Sequence, residues 1–355
     1  MEIKITKTTT PKTKPADESS LGFGKVFSDH MFLMDWTKGE GWHDARIVPF
    51  GYLNIHPAAS VLHYGTEIFE GLKAYRAVDG SIVMFRPEEN IRRMNNSAER
   101  LCLPQIDEAD YLQILDTLVE LDKDWVPHSE GTSLYIRPFM IGNDENLGVH
   151  SVKRATFVII LSPSGAYYAE GINPVKIAIE SEDVRAVKGG TGYAKCGGNY
   201  AASLRAGEKA EEKGFTQVLW LDGVHRKYIE EVGAMNVMFK INGVVVTPSL
   251  ENGSILGGIT RKSCIEVLKH WGMPVEERLL SVDELIGAAE TGKLEEAFGT
   301  GTAAVISPIG ELFYNDKKYT VNDFMIGPVA QKLYNELTGI QWGKTTDPFG
   351  WTECV

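Results

Sequence analysis

The sequence predicts an α/β protein with α+β character, built as two domains, and three observations carry that prediction. The chain has 355 residues, more than a single core usually organises. A stretch concentrating Gly, Pro and Ser, "SPSGAYYAEGINP", divides it into nearly equal parts and reads as a junction. Ahead of the junction, helix-period and strand-like segments intermix; beyond it, hairpin signals set antiparallel strands among a few helices. The expected organisation is a leader over 1–20, a small domain over 21–163, an interdomain loop over 164–176 and a larger domain over 177–355.

The opening "MEIKITKTTTPKTKPADESS" is polar and carries Pro11 and Pro15, so a loosely held leader is expected. It lacks arginine and has Glu2 and Asp17, which argues against a transit peptide. A helix starts with Pro87 at its first position and ends before Pro104, with Ile91, Met94 and Leu101 facing a core. "DEADYLQILDTLVELDKDW" signals another, and "SLYIRPFMI" and "ATFVIILSP" read as strands. Past the junction, Asn199 is positioned to cap a helix that Gly214 ends. Asp222-Gly223 and Asn242-Gly243 each lie between strand-like runs as hairpin turns.

Lys and Arg total 36 against 48 Asp and Glu, and a net charge of −12 disfavours general binding of nucleic acid or anionic membranes. No apolar run approaches the roughly 20 residues of a membrane span, and nothing reads as a signal peptide. The four cysteines, with no CxxC pair, read as reduced thiols, and the expected location is the cytosol.

Four constellations bear on chemistry. In "GYAKCGGNY", Lys195 stands among small and aromatic residues, where poor hydration favours the neutral, nucleophilic amine of a Schiff-base lysine; a buried structural lysine has the same surroundings. In "GSILGGITRKSC", Gly257 and Gly258 open a helix whose first N–H groups, with the Thr260 hydroxyl, suit a phosphate, although an ordinary glycine turn reads the same way. "GTGTAA" imitates a dinucleotide fingerprint, but Val305, Ile306 and Pro308 follow it, so it reads as a tight turn presenting Thr302. In "KYIEEVGAMN", strand alternation points either Glu230 or Glu231 inward, to balance a buried cation such as a protonated pyridine nitrogen or a structural ion pair. No metal-ligand spacing, Walker lysine motif or GxSxG elbow occurs.

Taken with "FGKVFSDHM", "LHYGTEIFEGLKAY", "MFRPEENIRRM", "RLCLP" and "YIRPFMIGNDENLGV", these motifs fall in one order over residues 21 to 340. The chain resembles the branched-chain amino-acid aminotransferases, fold-type IV enzymes that use pyridoxal phosphate, with a small N-terminal α/β domain and a larger, mixed β-barrel-like domain. The resemblance implies that Lys195 bonds the cofactor aldehyde and shuttles the proton at Cα, and that Glu231 pairs with the pyridinium nitrogen. It gives Tyr200 to the ring's phenolic oxygen, and Arg93, Ile259, Thr260 and Thr302 to the phosphate. It lines the substrate pocket with Phe23, Tyr64, Phe69, Tyr135 and Tyr167, offers the Ala303 amide to the α-carboxylate and Arg137 to the glutamate side-chain carboxylate. Gly197 and Gly198 let backbone pass close to the cofactor. Family members are dimers whose loop around Leu147 and Val149 closes over the neighbouring site, so a homodimer with Val149 contributed across it is expected.

Two departures stand out. Ala304 and Ser307 replace the CxxC redox pair of some mammalian members, which removes thiol regulation there and suggests a bacterial type, and Ala234 replaces a threonine of some relatives. The implied activity is exchange of the amino group of Leu, Ile or Val with 2-oxoglutarate. D-amino-acid aminotransferases and aminodeoxychorismate lyases are the same-fold alternatives; a nicotinamide oxidoreductase and a non-catalytic cofactor binder are more distant ones.

Overall fold

The computed structural model describes residues 1–165 and 172–355. Tyr167 and part of the expected 164–176 loop lie outside the described residues. The chain forms two compact units. The first comprises Met1–Ala169, Ala194–Gly197 and Gly339–Val355, the second Glu170–Tyr193 and Gly198–Thr338. Two later segments, Ala194–Gly197 and Gly339–Val355, thus group with the first unit. Ala194 and Cys196 are buried in its core, and the last strand completes its sheet.

In the first unit the strands are β1 (Lys4–Ile5), β2 (His30–Thr37), β3 (Gly41–Pro49), β4 (Glu67–Phe69), β5 (Leu72–Arg76), β6 (Ile82–Phe85), β7 (Ser133–Gly142) and β8 (Arg154–Ser164). They run in the order β1-β3-β2-β8-β7-β5-β6 and continue to the chain's last strand, with β4 pairing β7. Among the described residues only β1 and β3 pair in parallel within this sheet. After the short helix α1 (Ser60–Tyr64), α2 (Pro87–Arg100) starts on the expected proline, and Asp107 caps α3 (Glu108–Leu121) by accepting from Ala109 and Asp110 N–H. Ile91, Met94, Ile114, Leu115 and Leu118 bury their apolar faces against one sheet face, each contributing about 1.5–3 kcal/mol.

Residues 1–20, expected as a loose leader, are bonded along their length. Beyond β1, the Thr8 N–H donates to His30 Nε2 at 2.9 Å, Lys12 N–H to Asp29 at 2.8 Å, and the His128 and Ser129 N–H groups donate to Glu18. A polar composition says nothing of such partners.

The second unit holds β9 (Val175–Ile179), β10 (Gln217–Leu221), β11 (Ile229–Val232), β12 (Asn236–Ile241), β13 (Val244–Pro248), β14 (Val275–Arg278), β15 (Leu294–Gly301), β16 (Val305–Tyr314) and β17 (Lys317–Thr320). Their order is β11-β10-β9-β16-β15-β12-β13-β14, with β17 on β16. The helices that follow the first unit are α4 (Gly197–Ala201), α5 (Leu204–Glu212), α6 (Ile259–His270), α7 (Val282–Glu290) and α8 (Pro328–Gln341), and the last strand of the chain is β18 (Thr352–Cys354). Among the described residues no helix is long and apolar enough to cross a membrane.

The two hairpin signals come out differently. Asn242 and Gly243, with φ of 50° and 82°, form the expected two-residue turn, Ile241 facing Val244. Between β10 and β11 the loop is longer, because the Asp222 carboxylate accepts from the N–H groups of Val224, His225, Lys227 and Tyr228. Asn199 does not cap a helix. It lies inside α4 and bonds Thr191 instead, and Ser203 occupies the cap position of α5.

Candidate active site

In the first unit, β4 pairs β7 antiparallel with Glu67 opposite Ile141 and Phe69 opposite Phe139. Strand alternation therefore sends Ile68, Leu134, Ile136 and Met140, all fully buried, into the core. The opposite face carries Glu67, Phe69, Tyr135, Arg137 and Phe139, and the pairing of Lys73 with Tyr135 adds Lys73. Desolvation pushes the Lys73 amine down to about 8.

Lys195 is fixed against this face by its backbone. Its N–H donates to Ser97 Oγ at 2.9 Å and its carbonyl accepts from Phe69 N–H at 2.9 Å. Ala194 and Cys196 on either side point into the core, and Lys195 Nζ stands 4.5 Å from the centroid of the Phe69 ring. Ser97 Oγ also donates to the Arg93 carbonyl at 3.1 Å, so one hydroxyl links α2 to the lysine. The next glycine, Gly197, donates its N–H to Glu67 Oε1, and a Cβ there would collide with that carboxylate, whereas Gly198 stands in open space. The close passage that the glycine pair suggested is at Gly197, and Glu67 causes it.

Arg93 projects from α2 into a fork with Glu70, Nε and Nη2 each 2.8 Å from a carboxylate oxygen. Glu70 is fully buried and also accepts from Asn90 Nδ2 at 2.7 Å. Arg137 donates from Nη2 to Tyr135 Oη at 2.9 Å and lies 4.9 Å from the Phe69 ring centroid. It makes no ion pair among the described residues, and its Nε is buried without a hydrogen-bond partner among them. Burial pushes the Glu67 carboxyl above the usual range, against the Gly197 N–H and the Arg137 charge, which pull it down.

Of the pocket aromatics, Phe23 meets Tyr135 edge to face at 4.8 Å, and Gly71 passes so near the Tyr135 hydroxyl that a side chain there would collide with it. The Tyr64 hydroxyl donates to the Leu147 carbonyl of its own chain, while the Leu147 and Val149 side chains are exposed.

In the second unit, Glu230 and Glu231 are both buried, at 2% and 4% exposure, where strand alternation expected one outside. Both faces of β11 are covered. On one, Glu230 accepts from Ser254 Oγ and from Asn252 Nδ2 at 3.3 Å, and burial raises its carboxyl. On the other, Glu231 accepts from Leu256 N–H at 2.8 Å and lies 3.3 Å from Arg185 Nε, so it is the carboxylate already paired with a cation.

Gly258 precedes α6 with no side-chain cap, so the first-turn N–H groups at Ile259 and Thr260 have no capping acceptor. Asn236, which donates to the Leu256 carbonyl at 2.8 Å, comes too close to Gly258 for any Cβ there. "GTGTAA" ends β15 and turns at Thr302 and Ala303 into β16, as read from Val305 and Ile306; no helix follows it. Val305 sits at φ 62°, a strained conformation for a β-branched residue. Tyr200 lies in α4, half-buried.

Taken unit by unit, the groups suit parts of a phosphorylated pyridine cofactor: in the second unit an uncapped helix start suits a phosphate and a buried, paired carboxylate a ring nitrogen, and in the first a backbone-clamped lysine suits an aldehyde. Sequence reasoning missed Glu67, Glu70, Ser97 and Arg185. Each acts through a partner distant in the chain, and no local spacing signals that.

Comparison with known proteins bears on the whole chain. The class IV amino-transferase family matches residues 67–312. The chain is 59% identical over 353 residues to branched-chain-amino-acid aminotransferase 2 of Bacillus subtilis, covering 99% of this chain and 97% of that one. Branched-chain-amino-acid transaminase 1 of the same organism is 54% identical, with 99% and 98% covered. Among solved structures, the branched-chain amino acid aminotransferase of Escherichia coli superposes with a TM-score of 0.74 at 28% identity, covering 90% of this chain and 98% of that one. A thermophilic archaeal relative, the branched-chain aminotransferase of Thermoproteus uzoniensis solved with norvaline, gives 0.74 at 25%, covering 91% and 99%. A further branched-chain amino acid aminotransferase, solved with pyridoxamine 5'-phosphate, gives 0.74 at 27%, covering 90% and 97%.

Proposed function

We propose, from the premise that the chain belongs to the class IV aminotransferases and transaminates branched-chain amino acids, a division of labour among its residues. The reaction moves the amino group of Leu, Ile or Val to 2-oxoglutarate in two alternating half-reactions. The full-length match sets aside D-amino-acid aminotransferase and aminodeoxychorismate lyase as alternatives. Pyridoxal phosphate, when bound, supplies an aldehyde carbon for the amino group and a ring that withdraws electrons from Cα.

Lys195 Nζ is the base that takes the Cα proton and returns it to the cofactor carbon. Ser97 and Phe69 hold its backbone so that only the side chain moves. Glu231, paired with Arg185, faces the ring nitrogen and favours its protonated form. Ile259, Thr260, Thr302 and Arg93 hold the phosphate, with Glu70 fixing the Arg93 fork; Tyr200 bonds the phenolic oxygen. Phe23, Tyr64, Phe69 and Tyr135 exclude water around an apolar side chain, Ala303 N–H binds the α-carboxylate, and Arg137 receives the glutamate side-chain carboxylate. The functional unit is a homodimer in which the Leu147–Val149 segment covers the neighbouring site, and it works in the cytosol.

What supports this reading best is the backbone clamp on Lys195, which aims an amine from a core-anchored segment over the Phe69 ring. The absorption spectrum of the purified protein tests it. The cofactor band converts to the pyridoxamine form with L-leucine and returns with 2-oxoglutarate. A protein that stays colourless after incubation with pyridoxal phosphate would refute the reading.

A further inference from the structure

The pocket proposed above must accept an isobutyl group in one half-reaction and a carboxylate in the other. Arg137 poses the difficulty. A half-buried guanidinium with no ion pair among the described residues is unfavourable beside an apolar ligand and favourable beside an anion. Glu67 shares its strand face, and the Gly197 N–H holds the carboxylate there. The other charged and titratable groups on the elements packed around these strands include Lys195 on the 194–197 segment, Lys73 and Arg76 on β5, Arg93 on α2 in its fork with Glu70, Tyr64 on α1 and Tyr135 on β7.

We propose that Glu67 is a specificity-determining residue that lets one pocket take both kinds of side chain: its carboxylate balances Arg137 while an apolar side chain is bound, and it becomes the neutral acid when the substrate brings its own carboxylate to Arg137. The inference rests on the assignment of Arg137 to the glutamate side chain. Two carboxylates beside one guanidinium cannot both stay ionised cheaply, and the one already pushed up by burial takes the proton. The proton comes from solvent on binding and returns on release. Net charge around Arg137 is thus the same with either substrate.

Calorimetry of the holoenzyme near neutral pH, in buffers of different ionisation enthalpy, counts the protons taken up. Glutarate is the acidic probe and 4-methylvalerate the apolar control. Glutarate is expected to take up about one proton more than 4-methylvalerate. Glu67→Gln keeps an oxygen for the Gly197 N–H but removes the charge; it is expected to abolish that difference and to raise kcat/KM for L-glutamate relative to L-leucine about tenfold. A purely structural role would change both substrates alike. Equal proton counts in the wild-type protein, or a difference that survives Glu67→Gln, overturns the proposal.

Arg137→Met separates the two failures. If it binds glutarate as well as the wild type does, the Arg137 assignment is wrong. If it selectively loses glutarate while Glu67→Gln leaves the proton count unchanged, Glu67 alone is misassigned. Should Glu67→Gln not fold, the wild-type affinity decides: glutarate binding weakens about tenfold per pH unit above the Glu67 pKa, relative to 4-methylvalerate, or the idea fails.

Discussion

The two units hold their functional groups by different means. In the first, buried side chains reach the functional groups or their backbone: Glu70 forks the Arg93 guanidinium, the Ser97 hydroxyl accepts from the Lys195 N–H, and Glu67 lies near Arg137. In the second, backbone geometry does most of the work, through the uncapped start of α6 and the turn at Thr302, with Glu231 itself held by a backbone N–H. Charged groups held by buried partners are costly to disturb, whereas backbone donors persist through most substitutions. The first unit should therefore be the one in which single changes matter most.

The largest expected effect is at Lys195. Lys195→Ala should slow the L-leucine half-reaction by at least about 10^4-fold in stopped-flow absorbance, with the circular dichroism spectrum unchanged. In the second unit, Glu231→Gln should retain the cofactor and slow the same step about 100-fold; wild-type kinetics would give the role to Glu230 or to neither. Next comes the fork. Glu70→Gln leaves Arg93 without its buried counter-charge, and urea unfolding should register a loss of about 3 kcal/mol. A loss under about 1 kcal/mol would mean the comparison overstates the first unit.

Smaller effects sharpen the same contrast. Gly197→Ala drives a methyl into Glu67 and should lower kcat for L-leucine about tenfold, while Gly198→Ala should leave it within about twofold. Equal effects at the two positions would deny that Glu67 fixes the passage. Gly243→Ala, at φ 82° and remote from these groups, should cost about 1 kcal/mol in thermal unfolding and leave kinetics alone.

What was legible in the sequence follows the same division. α2, α3, α6, the Asn242-Gly243 turn and the extended chain after "GTGTAA" were readable, because caps, prolines and turn residues act on their own neighbours. The family, and with it the fold, came from the order of motifs. Local rules failed wherever a distant partner decided the outcome. Glu230 and Glu231 are both inside because β11 is covered on both faces, which alternation within one strand cannot foresee. Asn199 bonds Thr191 where a helix cap was expected, and residues 1–20 are tied to groups far along the chain. The proposed site residues were named from motifs; the groups that hold them, Glu67, Glu70, Ser97 and Arg185, were not legible in the sequence.

The pairing of β18 with β6 sets a timetable for synthesis. Thr352 lies opposite Phe85, and the Arg86 guanidinium packs 4.7 Å from the Trp351 ring centroid, so β6 is covered only by residues made long after it. Until β18 emerges from the ribosome, β6 is an open edge able to pair with another nascent copy. A chain stalled before β18 would carry every group assigned to the reaction and still lack the strand that covers β6.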